Sequence, residues 1–315
     1  MRLFAVWVYL AWREALTTLA LGSLPLRRAY GKTVCWLLRH GNYRWFLGLG
    51  ALGRWLRLND RGDRRRAFVA EANKQSLLGA DYQGNFARTS QRRRLLELAA
   101  TYGQSPQVAA QLARCQAELN AVVEPLHQAG HPVVLAPLHM LSDVLAGMVG
   151  AGVFPGQATA IVSVSVEVYH ARARELGGVN LSYCSIHDDN REIAGNLMGA
   201  IMEAADHQRN IMIFPDISPD YTVNTNTAQT AKLSCRLFDR PANLHSGVIR
   251  IARALSAQVV FYYLYYDKEI KIHIDPPMPA RSVKARLPEI VESSIVRHPE
   301  DWLLWHAHSL FFINE

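Results

Sequence analysis

The residues able to do chemistry in this chain gather at three places, each where an apolar run gives out. The first is Val133-Val134-Leu135-Ala136-Pro137-Leu138-His139-Met140-Leu141-Ser142-Asp143. Here a β-branched run ends in a histidine, and a carboxylate follows where a helix begins. A histidine backed by an acid is the minimum needed to make a hydroxyl nucleophilic at neutral pH. A strand end is also where an α/β enzyme presents such groups, because ligands bind outside the carboxyl ends of parallel strands. The same residues fit a plainer reading, a structural histidine beside a Ser-Asp helix start. The second place is Phe214-Pro215-Asp216, which closes the run Asn210–Phe214 and opens a loop of Ser, Asp, Asn and Thr. The third is Cys235–Gly247, which sets Arg236 and Arg240 ahead of a helix carrying Arg250 and Arg253. Taken alone, Asp216 reads as a turn residue and the two helix arginines as an exposed face.

The elements that must position these residues follow from the hydrophobic pattern. Beyond Gly130, strand-like runs at Val133–Leu138, Ala158–Val164, Leu181–Ile186, Ile211–Phe214, Val259–Tyr266 and Ile270–Ile274 alternate with helix-like runs. The helical runs are Val144–Val149, Glu167–Leu176, Arg191–His207, Leu244–Leu255 and Pro288–Arg297. Strand–helix alternation predicts an α/β fold with a largely parallel sheet. The last two strands read as a hairpin around Asp267-Lys268, which makes the sheet mixed. Residues 61–126 read as helical, with Gly79, Gly84 and Gly103 as breaks. The domain reading is a membrane-anchoring segment over 1–58 and an α/β domain over 59–315, with a helical lead-in (59–130) and a sheet core (131–315).

Composition limits the function classes. Half of the 315 residues are hydrophobic, too many for a disordered chain. Cys35, Cys115, Cys184 and Cys235 stand apart without a C-x-x-C pair, which argues against a zinc knuckle or a disulfide framework. No histidines fall at metal-ligand spacing.

Charge is uneven: the first hundred residues hold 18 Lys and Arg against 6 Asp and Glu, the remainder 16 against 21. The triplets Arg64-Arg65-Arg66 and Arg92-Arg93-Arg94 suggest an anionic partner, nucleic acid or membrane. Trp7, Trp12, Trp36, Trp45 and Trp55 interleave with leucine and arginine, as at a membrane interface. Residues 3–26 are apolar apart from Arg13, Glu14 and a few hydroxyl residues; a central Arg-Glu pair is costly in a bilayer. The segment is read as an uncleaved anchor that either lies in the membrane surface or crosses it shallowly. Gly48-Leu49-Gly50-Ala51-Leu52-Gly53 fits G-x-G-x-x-G, but its flanks are interfacial rather than a βαβ unit, so close approach of apolar helices suits it better than a dinucleotide.

The order of these features resembles a known family. A strand-end histidine with a nearby acid is followed by Phe-Pro-Asp, then Phe-x-Arg-Pro-Ala leading to Gly-x-x-Arg, and finally Arg297-His298-Pro299-Glu300-Asp301-Trp302-Leu303-Leu304-Trp305-His306. That series is similar to the bacterial lipid A late (lauroyl/myristoyl-type) acyltransferases of the lysophospholipid acyltransferase superfamily. The resemblance covers most of the chain, and the closing segment is its most specific part. It implies a glycerolphosphate-acyltransferase-like fold and acyl transfer from an acyl carrier protein or acyl-CoA thioester to a hydroxyl of a membrane glycolipid. It further implies His139 as general base, Asp143 as the acid orienting it, and Asp216, Arg240 and Arg250 as substrate-binding residues. It calls for no cofactor or metal, and places the protein on the cytoplasmic face of the bacterial inner membrane, against anionic lipid. The family separates its histidine and acid by four residues; three intervene here, and position 144 is valine.

Two alternatives stand beside this reading. One is a superfamily relative with a changed donor or acceptor, such as aminoacyl transfer or a non-lipid-A acceptor. The other is a nucleic-acid-binding protein using the arginine clusters, which would need exposed aromatics on a sheet or a recognition helix.

Overall fold

The computed structural model describes residues 29, 31–48, 61–79, 82, 84–162, 181–185, 190–218 and 232–310. Outside them lie most of the expected anchor segment, Leu49–Gly53 of the glycine motif, the expected helix Glu167–Leu176 and most of the polar loop after Asp216. Among the described residues no helix is long and apolar enough to cross a membrane.

A central sheet carries the fold. Its strands are β1 (Val133–Pro137), β2 (Ala158–Val162), β3 (Leu181–Ser185), β4 (Asn210–Ile213), β7 (Gln258–Asp267), β8 (Glu269–Ile274) and the short β9 (Met278–Pro279). They lie in the order β3-β2-β4-β1-β7-β8, with β9 beside β7. The first five of these are mutually parallel, and β8 and β9 pair antiparallel with β7. The Asp267-Lys268 hairpin is present, with Asp267 opposite Glu269. β1 is buried along its whole length, as expected of a parallel strand covered on both faces.

Alternate strand residues enter two cores. On one face Val134 and Ala136 join Val259, Phe261 and Tyr263; on the other Val133 and Leu135 join Val260, Tyr262 and Leu264. Three lead-in helices precede the sheet: α1 (Arg61–Leu78), α2 (Phe86–Ala100) and α3 (Pro106–Gln128). α3 starts with Pro106 after Ser105 and buries Leu112, Cys115, Leu119 and Val123 at helical spacing against the second core. α4 (Asp143–Gly152) begins at Ser142, whose hydroxyl accepts the Leu145 N–H at 3.2 Å. It lies close to the sheet because position 150 is glycine: a Cβ there would meet the Tyr262 hydroxyl at 2.3 Å. That hydroxyl donates to the Ala146 carbonyl at 2.9 Å instead. Among the described residues α5 (Asn190–Ala205), α6 (Gly247–Ala254) and α7 (Ala280–Arg297) follow, and α6 and α7 cover the first core.

One stretch departs from the sequence pattern. Residues expected as a loop running into a helix from Leu244 form a second, two-stranded sheet, β5 (Lys232–Leu237) with β6 (Arg240–His245). Its turn is Phe238-Asp239, both with positive φ (51° and 60°). This is the mirror-image two-residue turn that matches strand twist. It is more often built from Asn-Gly, so Phe-Asp gave no hairpin signal.

Helical residues 31–40 and 43–48 rest on the second core through Leu38 and Tyr43, both fully buried. Trp36 and Trp45 from the same segment stay 61% and 74% exposed.

Candidate functional site

β1 ends at Pro137, and Leu138 prolongs its pairing by donating its N–H to the Tyr262 carbonyl at 3.0 Å. His139 comes next, at the carboxyl end of a central parallel strand. The chain then turns within three residues. Met140 N–H donates to the Leu138 carbonyl and Ser142 N–H to the Met140 carbonyl, both at 2.7 Å. Leu141 between them has φ 56°, a conformation costly for a branched residue. Such strain persists only where the surroundings over-determine it.

Here the C-terminal segment supplies that constraint. Leu141 N–H donates to the Asp301 carbonyl at 2.7 Å, Leu303 N–H donates to the His139 carbonyl at 2.8 Å, and Met140 and Trp302 pair as an isolated antiparallel bridge.

The carboxylate that meets the His139 imidazole is Asp216. Its Oδ1 lies 2.8 Å from His139 Nδ1, and its Oδ2 accepts the His139 backbone N–H at 2.9 Å and the Trp302 indole N–H at 3.1 Å. Asp216 is fully buried while 16% of the His139 side-chain surface remains exposed. An acceptor-only carboxylate facing Nδ1 requires the proton on Nδ1, so Nε2 holds the lone pair. The Phe214 ring stacks obliquely on the imidazole, with centroids 4.5 Å apart. Burial pulls the His139 pKa down, but the charge and hydrogen bond of Asp216, aided by Asp143 and opposed by Arg93, leave it above the ordinary histidine value.

Asp143, expected to orient the histidine, is engaged elsewhere. It opens α4, as the sequence suggested, but its Oδ1 accepts from Arg93 Nη2 at 2.6 Å and from its neighbour's N–H, Val144, at 3.0 Å. Arg93 also bonds Glu97 at 2.7 Å, and Glu97 accepts the Ser142 hydroxyl at 2.7 Å. The tight turn that accommodates three intervening residues sets Asp143 into this α2 network, where it acts on His139 by charge.

The basic triplet on α2 therefore faces inward in part. Arg92 pairs with buried Asp301, whose other oxygen accepts the Tyr266 N–H at 3.0 Å. Burial raises the Asp301 pKa against Arg92, which lowers it. Neighbouring Glu300 accepts from Tyr82 at 2.6 Å and from Lys74 at 3.3 Å; Lys74 is fully buried, between the rings of Tyr82 and Trp305. Against burial, which raises it, Tyr82, Lys74 and the Asn85 N–H hold the Glu300 carboxyl below its ordinary range.

Of the substrate-binding arginines that the resemblance implies, Arg240 sits at the far end of β6. It donates to the Ser76 hydroxyl and carbonyl on α1 at 3.2 and 2.9 Å. That is roughly 17 Å along the strand from the end that adjoins Asp216, so Arg240 docks the hairpin rather than lining the His139 site. Arg250 is exposed on the first turn of α6. Its charge is felt by His245, which burial already makes harder to protonate.

Sequence reasoning passed over His245 itself. Its N–H donates to the carbonyl of Ile217, the residue after Asp216, at 2.9 Å, and its Nδ1 accepts the Gly247 N–H at 3.0 Å. With Nδ1 accepting, the ring proton of the neutral imidazole sits on Nε2. The motif His-Ser-Gly at a strand–helix junction was the signal available. Among the described residues no group of three or more His, Cys, Asp or Glu is placed to hold a metal ion.

No protein-family profile matches the chain, and no curated protein matches it at a significant level of similarity.

Proposed function

We propose that the protein is a membrane-associated O-acyltransferase with a glycerolphosphate-acyltransferase-like fold, moving an acyl chain from a carrier-protein or coenzyme A thioester to a hydroxyl of a glycolipid. The observation that carries this reading is the His139–Asp216 contact at the carboxyl end of β1. With Nδ1–H committed to a buried carboxylate, Nε2 is the nitrogen that takes a proton. In the proposed reaction it removes the proton of the acceptor hydroxyl as that oxygen attacks the thioester carbonyl. The tetrahedral intermediate expels the thiolate, which recovers the proton from His139. Asp216 holds the ring in one tautomer and stabilises the imidazolium formed on the way. Placement of this kind contributes about 10²–10⁴-fold.

Support for a location at the cytoplasmic face of a bacterial inner membrane comes from the segment 31–48, where Trp36 and Trp45 are exposed beside Lys32 and Arg44. Such residues suit an anionic lipid surface.

Cells with and without the gene, and cells carrying His139→Ala, test the reading by mass spectrometry of extracted lipids. The expected result is one acyl chain fewer on a glycolipid in the deletion and in His139→Ala. An unchanged lipid profile in both would remove the activity. A relative with a changed donor or acceptor is the second reading. It is favoured by an acid partner that comes from the Phe-Pro-Asp loop rather than from the helix after the histidine. The nucleic-acid alternative is weakened because Arg92 and Arg93 are spent on Asp301, Glu97 and Asp143.

A further inference from the structure

We infer that Trp302 is a positioning residue for the proposed general base, its indole N–H fixing the Asp216 carboxylate so that one oxygen is presented squarely to His139. This inference rests on the acyltransferase reading only for its kinetic test.

Among the described residues, three donors reach Asp216. Two come from His139 itself, so they move with the residue they would have to orient. Among the described donors Trp302 is independent of the histidine: it reaches Oδ2 from the C-terminal segment, 86 residues further along the chain. A carboxylate anchored only through His139 can rock with that loop. With Oδ2 pinned by a third element, Oδ1 stays in line with Nδ1. Trp302 is itself immobilised: it is 3% exposed, its backbone bridges to Met140, and its ring meets Trp305 edge-on at 4.9 Å. One residue thus clamps the backbone of the histidine loop and the carboxylate behind the histidine. Hydrogen bonds to charged groups are the stronger class, and losing one inside a protein leaves an acceptor short of a partner.

The charged groups acting on His139 are Asp216, Asp143 and Arg93. Of these, Trp302 touches Asp216. The experiment compares full-length wild type, Trp302→Phe, Asp216→Asn and the double variant. Trp302→Phe is expected to lower kcat about ten-fold, the equivalent of ~1.4 kcal/mol, with KM held within about two-fold. In the Asp216→Asn background the same change should cost less than about two-fold, because the contact it removes is already altered. An equal loss in both backgrounds, or none in wild type, overturns the inference.

Titration of isotope-labelled His139 by NMR supplies a readout independent of turnover. In Trp302→Phe its midpoint should move from the wild-type value in either direction, and an unmoved midpoint also overturns the inference. Should phenylalanine unfold the protein, the benzothienyl analogue of tryptophan at position 302 replaces N–H by sulfur at nearly constant shape and is expected to give the same shifts. If His139→Ala retains full turnover, the general-base reading fails, while the titration still decides whether Trp302 positions Asp216.

Discussion

Arg93 and Asp143 lie 2.6 Å apart, and that ion pair joins α2 to the start of α4, four residues after His139. The acid nearest to His139 in sequence is thus paired with a lead-in helix, and the acid that holds the imidazole arrives from the end of β4. Exchanging the two carboxylates for amides separates their roles. Asp143→Asn is expected to leave acyl transfer within about five-fold of wild type. Asp216→Asn should lower it about 10²–10⁴-fold, the span associated with an oriented base. Initial rates on a glycolipid acceptor measure both, and a reversed order of severity would return the dyad to His139 and Asp143.

The His139 pKa sits above its ordinary value of 6.5, so the base is already protonated at a pH where a free imidazole would be neutral. Activity that needs neutral His139 should fall away on the acid side with a midpoint above 6.5 in kcat/KM. Arg93 opposes protonation of His139. Arg93→Met is therefore expected to move that acid limb to still higher pH, and a shift to lower pH would contradict the electrostatic assignment.

Lys74 is a fully buried ammonium held by Glu300 at 3.3 Å and Glu71 at 3.9 Å. Lys74→Met removes the charge and leaves the Glu300 and Glu71 carboxylates without their shared cation. Removing one partner of a buried pair costs about 3–5 kcal/mol, and the partial exposure of Glu300 brings the expected loss to about 2–3 kcal/mol, read by denaturant unfolding. Because the folded Glu300 pKa is depressed, its contribution to stability is present above the ordinary carboxyl pKa of 4.5 and is lost as pH falls through the depressed folded value. The deficit of Lys74→Met should accordingly shrink toward acid pH.

The exposed pair Trp36 and Trp45 offers a test of membrane contact that leaves the core alone. The double Trp36→Ala, Trp45→Ala variant of the full chain should keep its thermal midpoint while its partition onto vesicles containing anionic lipid drops several-fold. Equal partition of variant and wild type would assign the membrane contact to another part of the chain.

Much of the sheet was legible in the sequence because its strands are β-branched runs bounded by turn residues, and the observed ends fall within a few positions of the expected ones. The helix start at Ser142-Asp143 and the hairpin at Lys268 were legible for the same local reasons. The β5–β6 hairpin was not, because its turn residues are Phe238 and Asp239 and because Pro241 argues against a strand. His139 and Asp216 were each identified, and as strand-end residues were expected to share one groove, but the direct partner of the histidine was read as Asp143. Proximity along the chain favoured Asp143, whereas the contact depends on β1 and β4 lying side by side, with Val134 opposite Ile211. The inward contacts of Arg92 and Arg93 were hidden for a related reason: sequence reports charge, not the buried Asp301 and half-buried Asp143 that meet them.

The bridge between Met140 and Trp302 has a temporal meaning as well. β1 and its histidine leave the ribosome long before Asp301, Trp302 and Leu303, and until then the strained turn at Leu141 lacks the backbone partners that hold it. The order of synthesis therefore lets β1 meet Asp216 before the turn at Leu141 gains the partners that fix it.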